Sequence, residues 1–359
     1  MAGYDYGNAR LRAMKSRLLT RSALEKMAEA GNMQVLVAEL AETSYRHPVE
    51  AALARVSGLE CISIALNGDL ESTIQKIRRF YRDRAGEMVG IVLRAYDIKN
   101  LKAILRGLSK RALPGEILFA VLPAGELTPG ILSELSRAAD PRDAIDLLAT
   151  MAHPFAHPLL RLRGERPEAG TPEMELVLDQ WYYNNAFNFL QVNRETEGVL
   201  YSALQLDADI TNLHTVVRFA YTSEERDFLR DWLSTIDMTR IFVGPGKLSF
   251  DLLERAGSQD SVDAAVETLR GTVYETALRK GLEEYIARGG GRLSVFEQQL
   301  NRFRLDRLSK LIGRDSLGIG VVLGYLALKT TEVSNLRWIA HGTYLGMTPN
   351  NIRAELVYG

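Results

Sequence analysis

The sequence predicts an all-α protein built from three related helical repeats, and three observations carry that prediction. An acidic residue, a β-branched residue, any residue and then Asn-Leu occur at Asp97–Leu101, Asp209–Leu213 and Glu332–Leu336, each followed at helical spacing by an aliphatic residue, Ile104, Val216 or Ile339. A second marker, Leu then a hydroxyl residue, lies upstream of each: Leu19-Thr20, Leu127-Thr128 and Leu248-Ser249, with Leu24, Leu132 and Leu253 at one common offset. From hydroxyl to Asn the separations are 80 (Thr20 to Asn100), 84 (Thr128 to Asn212) and 86 (Ser249 to Asn335). The third observation is the scarcity of strand signals, since no Asn-Gly or Asp-Gly turn joins two alternating segments.

Further matches fall between the markers. Leu40, Leu148 and Leu269 all lie 20 residues after their hydroxyl residue, and the first and third copies share Leu40-x-x-Thr43-x-Tyr45 and Leu269-x-x-Thr272-x-Tyr274. The middle copy has Met151 and His153 at those places. Self-similarity at a fixed period marks a repeat architecture, and the expected division is 1–110, 111–230 and 231–359. The last unit ends in a half-unit that begins at Thr348.

Along the chain, residues 9–29 read as an amphipathic helix, with Leu11, Met14, Leu18 and Leu19 set among arginines and lysines. Leu66-Asn67-Gly68-Asp69 is the nearest candidate for a turn, ahead of a helical pattern over 70–81. Thr128-Pro129 and Thr348-Pro349 pair a capping hydroxyl with Pro at the first helical position, so the markers should start helices. Glu134, Glu254 and Glu355 are expected early in those helices, near the positive end of the dipole. Gly125, Gly246 and Gly346 precede them, as where a chain turns tightly.

Composition narrows the function. The chain has 359 residues, 46% apolar and 25% charged, with net charge −1, which is the make-up of a globular protein without the basic footprint of a nucleic-acid binder. Cys61 is the single cysteine, in an apolar run, so no internal disulfide forms and a reducing, cytoplasmic setting is expected. The first residues lack the apolar core of a secretory signal. The longest apolar stretch, Leu317–Leu328, has 12 residues, short of the roughly 20 that cross a bilayer.

Motifs that could carry chemistry fail on inspection. Gly244-Pro245-Gly246-Lys247-Leu248-Ser249 suggests a phosphate loop, but Ile241 stands where its first Gly belongs and Leu248 where a hydroxyl would hold Mg²⁺. His153 and His157 are each followed by Pro, which forbids one helix presenting both imidazoles, and nothing nearby completes a metal set. His47 precedes Pro48 at a helix end, and His214 and His341 fall on helix surfaces. No catalytic residue, cofactor site or metal site is expected. Asp97, Asp209 and Glu332 recur with Asn100, Asn212 and Asn335, and a group repeated in every unit favours structure: an Asn tying its helix to a neighbour, with the acid as its partner three residues earlier.

Residues that break the repeat are the better candidates for contact with other proteins. The N-terminal Tyr4-x-Tyr6-x-Asn8-Ala9-Arg10-x-Arg12-x-x-Lys15 and the C-terminal stretch from Arg337 to Arg353 have no counterparts elsewhere. With Arg106 and Arg218 they supply the partner-contact candidates Tyr4, Arg10, Arg12, Lys15, Arg106, Arg218, Arg337 and Arg353, because Arg forks suit carboxylates at interfaces.

Tyr4-x-Tyr6-x-Asn8-Ala9-Arg10, Tyr96-Asp97-Ile98-Lys99-Asn100-Leu101-Lys102, and Glu332-Val333-x-Asn335-Leu336-Arg337 through Gly346-Met347-x-Pro349-x-x-Ile352-Arg353 together resemble the C-type subunit of the prokaryotic V-type (A-type) ATP synthases. That protein is similar to the d-type subunit of the eukaryotic vacuolar ATPase. The resemblance runs the length of the chain and is weakest in the middle copy, where His214 follows Leu213. It implies a three-lobed, funnel-shaped closed body of the rotor, non-catalytic, peripheral to the membrane. Its partners would be the membrane proteolipid ring and the D and F components of the central stalk. A freestanding helical-repeat adaptor that binds a soluble protein on a concave face is the alternative reading.

Overall fold

The computed structural model describes residues 3–193, 198–221 and 241–358. Among these residues every regular element is a helix. They fall into two compact units, Met1–Leu178 with Ser309–Tyr358, and Asp179–Leu308.

Three long helices carry the recurrent motif: Asp83–Ser109, Val199–Tyr221 and Gly320–Tyr344. Ile104, Val216 and Ile339 are fully buried on them. Each motif helix packs on two short helices that follow a hydroxyl marker. The first meets Pro129–Ser136 and Pro141–Thr150, and the second meets Phe250–Gly257 and Val262–Thr268. The third meets Arg21–Met27 and Met33–Ala41, near the start of the chain. The hydroxyls do start these helices: Thr20 Oγ1 accepts from the Ala23 amide at 3.2 Å, Thr128 from Ile131 at 3.4 Å, Ser249 from Leu252 at 3.3 Å and Thr348 from Asn351 at 3.4 Å. The second helix of each pair has its own side-chain cap, Asn32, Asp140 or Ser261. Leu40, Leu148 and Leu269 fill the space beneath.

Several local expectations change. The amphipathic stretch 9–29 is two helices, Asp5–Lys15 and Arg21–Met27, because Thr20 caps the second and the Leu19 amide is drawn away to Glu332. Asn67-Gly68-Asp69 lies inside one helix, Gly58–Phe80, where Asn67 and Asp69 serve side-chain contacts rather than a turn. His47-Pro48 and His157-Pro158 occupy the first turns of Arg46–Leu53 and Ala156–Glu165, where a missing amide costs nothing. Glu134 and Glu254 fall in the second half of eight-residue helices and Glu355 is a C-cap, so none lies at the positive end. The apolar run Leu317–Leu328 feeds the third motif helix, which is buried along most of its length. No described helix is long and apolar enough to cross a membrane.

Gly125 and Gly246 are required for a reason other than a turn. Neither has positive φ; instead a Cβ on Gly125 would overlap the Asp97 carboxylate, and one on Gly246 would overlap that of Asp209. The carboxylate occupies the space a side chain would take. At the third copy the acid is Glu, one methylene longer, and Arg17 stands where the others have Gly. Gly125→Ala should therefore destabilise the protein by about 2 kcal/mol or more, the scale of overpacking a closed site. Urea denaturation of Gly125→Ala in wild-type and Asp97→Gly backgrounds checks this, because the penalty should vanish when the carboxylate is absent.

Candidate functional site

The motif residues build three matching clamps. In the first, Asp97 accepts the Glu126 amide at 2.5 Å and the Leu127 amide at 3.0 Å. In the second, Asp209 accepts Lys247 N–H at 3.0 Å and Leu248 N–H at 3.1 Å. In the third, Glu332 accepts the Leu19 amide. Each acid thus holds the residue just before a hydroxyl marker, and the last acid holds the first marker. The asparagines clasp the connecting chain in both directions. Asn100 exchanges two hydrogen bonds with the Leu122 backbone at 2.7 and 2.9 Å, Asn212 with Val243 at 2.8 and 2.9 Å, and Asn335 with Val357 at 2.6 and 3.0 Å. Acid and Asn are not each other's partners, contrary to the sequence expectation. In the first two clamps both reach the same passing backbone one helical turn apart, whereas in the third Glu332 holds Leu19 and Asn335 holds Val357, two different segments.

The clamps differ in electrostatics. Asp97 is fully buried and, among the described residues, accepts only its two amides, so desolvation pushes its pKa up to about 7. Asp209 has a further donor, Tyr274 Oη at 2.8 Å, but burial still dominates and raises its pKa. Glu332 receives Tyr45 Oη at 2.6 Å and Lys329 Nζ at 2.9 Å, and Lys329 also pairs with Asp69 at 2.8 Å. The tyrosines occupy equivalent places, five residues after Leu40 and Leu269; His153 holds that place in the middle copy. Burial raises the Tyr45 hydroxyl well above its usual range, with the Glu332 charge as the next cause.

These contacts explain why the apparent phosphate loop is none. The Lys247 and Leu248 amides, which an anion would use, are already held by the Asp209 carboxylate. Among the described residues no group of His, Cys, Asp or Glu is arranged to hold a metal ion, and Cys61 is buried and free.

The chain matches the family model described as ATP synthase (C/AC39) subunit over residues 7–355. It belongs to that family. Curated relatives agree over nearly the whole length. The C-type subunit of the A-type ATP synthase of Methanosarcina acetivorans is 27% identical over 99% of this chain and 93% of its own. The Haloferax volcanii protein of the same description is 27% identical over 98% and 97%. The corresponding subunit of the V-type ATP synthase of Deinococcus radiodurans is 28% identical over 98% and 91%.

In this family member the partner-contact candidates occupy contrasting environments. Arg10, Arg12 and Lys15 are exposed on the first helix, Arg12 donating to the Ser316 carbonyl at 2.6 Å and Arg10 lying over the Phe80 ring. Arg218 is exposed on the second motif helix. Arg106 makes a two-pronged pair with Glu175 at 3.0 and 2.7 Å, and Arg353 pairs with Glu29. Tyr4 is buried against Tyr81, and Arg337 is 5% exposed. Arg337 donates to the Phe119 carbonyl at 2.9 Å and to Asn67 Oδ1, and burial lowers its pKa to about 10, so it remains charged at neutral pH. It braces three helices from inside. Sequence reading missed Lys329, although its place three residues before Glu332 is a helical ion-pair spacing absent from the second copy, which has Leu206 there.

Lys329 should be the costliest charge to remove. Lys329→Met leaves Asp69 and Glu332 without their shared cation, and loss of one partner from a buried pair costs about 3–5 kcal/mol. Equilibrium unfolding of the variant measures this; a loss below about 1 kcal/mol would mean that the carboxylates find water or protons instead.

Asp97 predicts a pH dependence of the opposite sense to an ordinary salt bridge. Its folded pKa of about 7 lies above the roughly 3.9 of an unfolded Asp, so between these values the folded chain binds more protons. Its contribution is complete below the unfolded value and is lost as pH rises through 7. From pH 5 to 8 the urea midpoint of wild type should fall more steeply than that of Asp97→Asn, and parallel profiles would show an already ionised carboxylate.

Proposed function

We propose that this family member is a non-catalytic rotor subunit that joins the central stalk to the membrane proteolipid ring and transmits torque between them. The observation that carries the reading is the expenditure of the recurrent polar chemistry on the chain's own backbone. Three clamps lock connecting segments to long helices, and the third fastens the end of the chain to its beginning. A coupling piece needs stiffness in that form, whereas an active site needs polar groups left to face a substrate.

On this reading the divisions 1–110, 111–230 and 231–359 are three repeats about a pseudo-three-fold axis, enclosing a funnel. Each acid grips the marker of the repeat that follows, and the closing grip of Glu332 on the Leu19 amide supports a closed arrangement over an open solenoid adaptor. The subunit would be cytoplasmic and peripheral, held at the membrane through the ring. The D and F components of the central stalk would be its other neighbours. The exposed cations Arg10, Arg12, Lys15 and Arg218, with Arg106 and Arg353 released from their pairs, would face partner carboxylates; Tyr4 and Arg337 would shape those surfaces from beneath.

Charge reversal of Arg10, Arg12, Lys15, Arg106, Arg218 and Arg353 in turn tests the reading. At least one variant should co-purify less well with the ATP synthase, or show ATP hydrolysis uncoupled from proton pumping, while keeping the wild-type thermal midpoint. Full assembly and coupled pumping in all six would reject this set.

A further inference from the structure

We propose that a basic cleft in the first unit is the seat of an acidic, amphipathic helical segment of a partner protein; the proposal rests on the coupling-subunit reading and names the chemistry of one of its contacts. The cleft has a volume of ≈ 820 Å³ and lies among the helices Asp5–Lys15, Arg46–Leu53, Gly58–Phe80 and Gly320–Tyr344. Arg10, Arg17, Arg55 and Lys76 stand around it, all exposed, and none forms an ion pair with a described residue. Asp69 is the one carboxylate in the lining, and it is held by Lys329. Elsewhere on the described surface arginines are commonly paired, as Arg21 with Glu25, Arg161 with Glu165 and Arg270 with Glu267. Here four cations converge on a hollow without such partners.

The lining indicates a protein segment rather than a small anion. Between the cations the wall carries Ala13, Met14, Leu18 and Ile64 alongside the hydroxyls of Ser44, Ser72 and Thr73, and Ile64 is 47% exposed. A phosphate site gathers donors and backbone amides onto one point. These cations instead sit apart, Arg10 and Lys76 on two helices and Arg17 and Arg55 in the turns after Asp5–Lys15 and Arg46–Leu53, around a partly apolar middle. That pattern complements a helix with an apolar stripe flanked by carboxylates, the helix-in-groove mode of recognition. A helix about 10–12 Å across could lay roughly two turns in such a groove. Charges at a rim govern encounter and register more than final affinity, which suits a joint that must find one orientation.

The test uses the full chain in its purified ATP synthase complex. A photo-cross-linking benzoylphenylalanine placed by Ile64→benzoylphenylalanine should capture one protein segment carrying several Asp or Glu residues. The triple variant Arg17→Glu, Arg55→Glu, Lys76→Glu should reduce co-purification at least tenfold at low salt with an unchanged thermal midpoint. Replacing two carboxylates of the captured segment by Lys should restore it. Capture of lipid, displacement of the cross-link by inorganic tripolyphosphate but not by salt of equal ionic strength, or no capture from an intact complex would each overturn the proposal and leave the coupling reading standing. Failure of the wild-type chain to co-purify with the complex would remove both.

Discussion

The structure depends on buried carboxylates that bind backbone amides at the approach to a helix. An amide ahead of an N-cap has no partner in the helix it precedes, and an unsatisfied buried donor costs about 1–3 kcal/mol. Asp97, Asp209 and Glu332 meet that need from a neighbouring long helix, and after Asp97 and Asp209 the Asn one turn later fixes the same passing chain at a second point. Two points set position and direction together. The same demand explains the glycines: at Gly125 and Gly246 the carboxylate must sit where a Cβ would be.

Burying charge this way is poor value as plain stabilisation. Desolvation pushes Asp97 up to about 7, which shows that the two amides do not fully replace water around the anion. What the clamp gains is uniqueness, because a carboxylate aimed at two specific amides disfavours every register in which they do not meet. The third clamp goes further with Lys329, Asp69 and Tyr45, a network absent from the other two. It is the clamp whose partner is 313 residues away in sequence. Ordering contacts between distant parts of a chain costs more loop entropy than joining nearby ones, so a stronger lock at that place is physically sensible.

Much of this was legible and some was not, for reasons that lie in distance along the chain. Thr128-Pro129 and Thr348-Pro349 announced helix starts because a cap acts within three residues. The recurrence of acid and Asn announced a structural role. Neither their backbone partners nor the link from Glu332 to Leu19 could be read, since nothing local in the sequence encodes which amide is orphaned. The helical pattern over 9–29 misled for the same reason: periodicity is continuous through Leu18 and Leu19, and only the remote acid explains why the helix stops. Arg337 looked like a surface cation because it follows the motif and breaks the repeat. Its burial comes from Asn67 and Phe119, on elements that no sequence pattern ties to it.

Charge in this chain therefore divides by burial into two kinds of work. Buried charges, at Asp97, Asp209, Glu332, Lys329 and Arg337, have internal partners and hold helices to connections. Exposed charges without ion-pair partners among the described residues gather where the first helix faces Gly58–Phe80, at Arg10, Arg17 and Lys76. An internal charge exposed to a shifting partner would couple that partner to the clamp it serves, and an external charge tied up internally could not guide docking. Because Asp97 and Asp209 are insulated from solvent, salt and partner exchange can act on the outer set without loosening those two clamps, while the Lys329–Asp69 pair of the third lines the cleft. The coupling role proposed above requires both conditions in one fold, and here the same residue types meet them by their different burial.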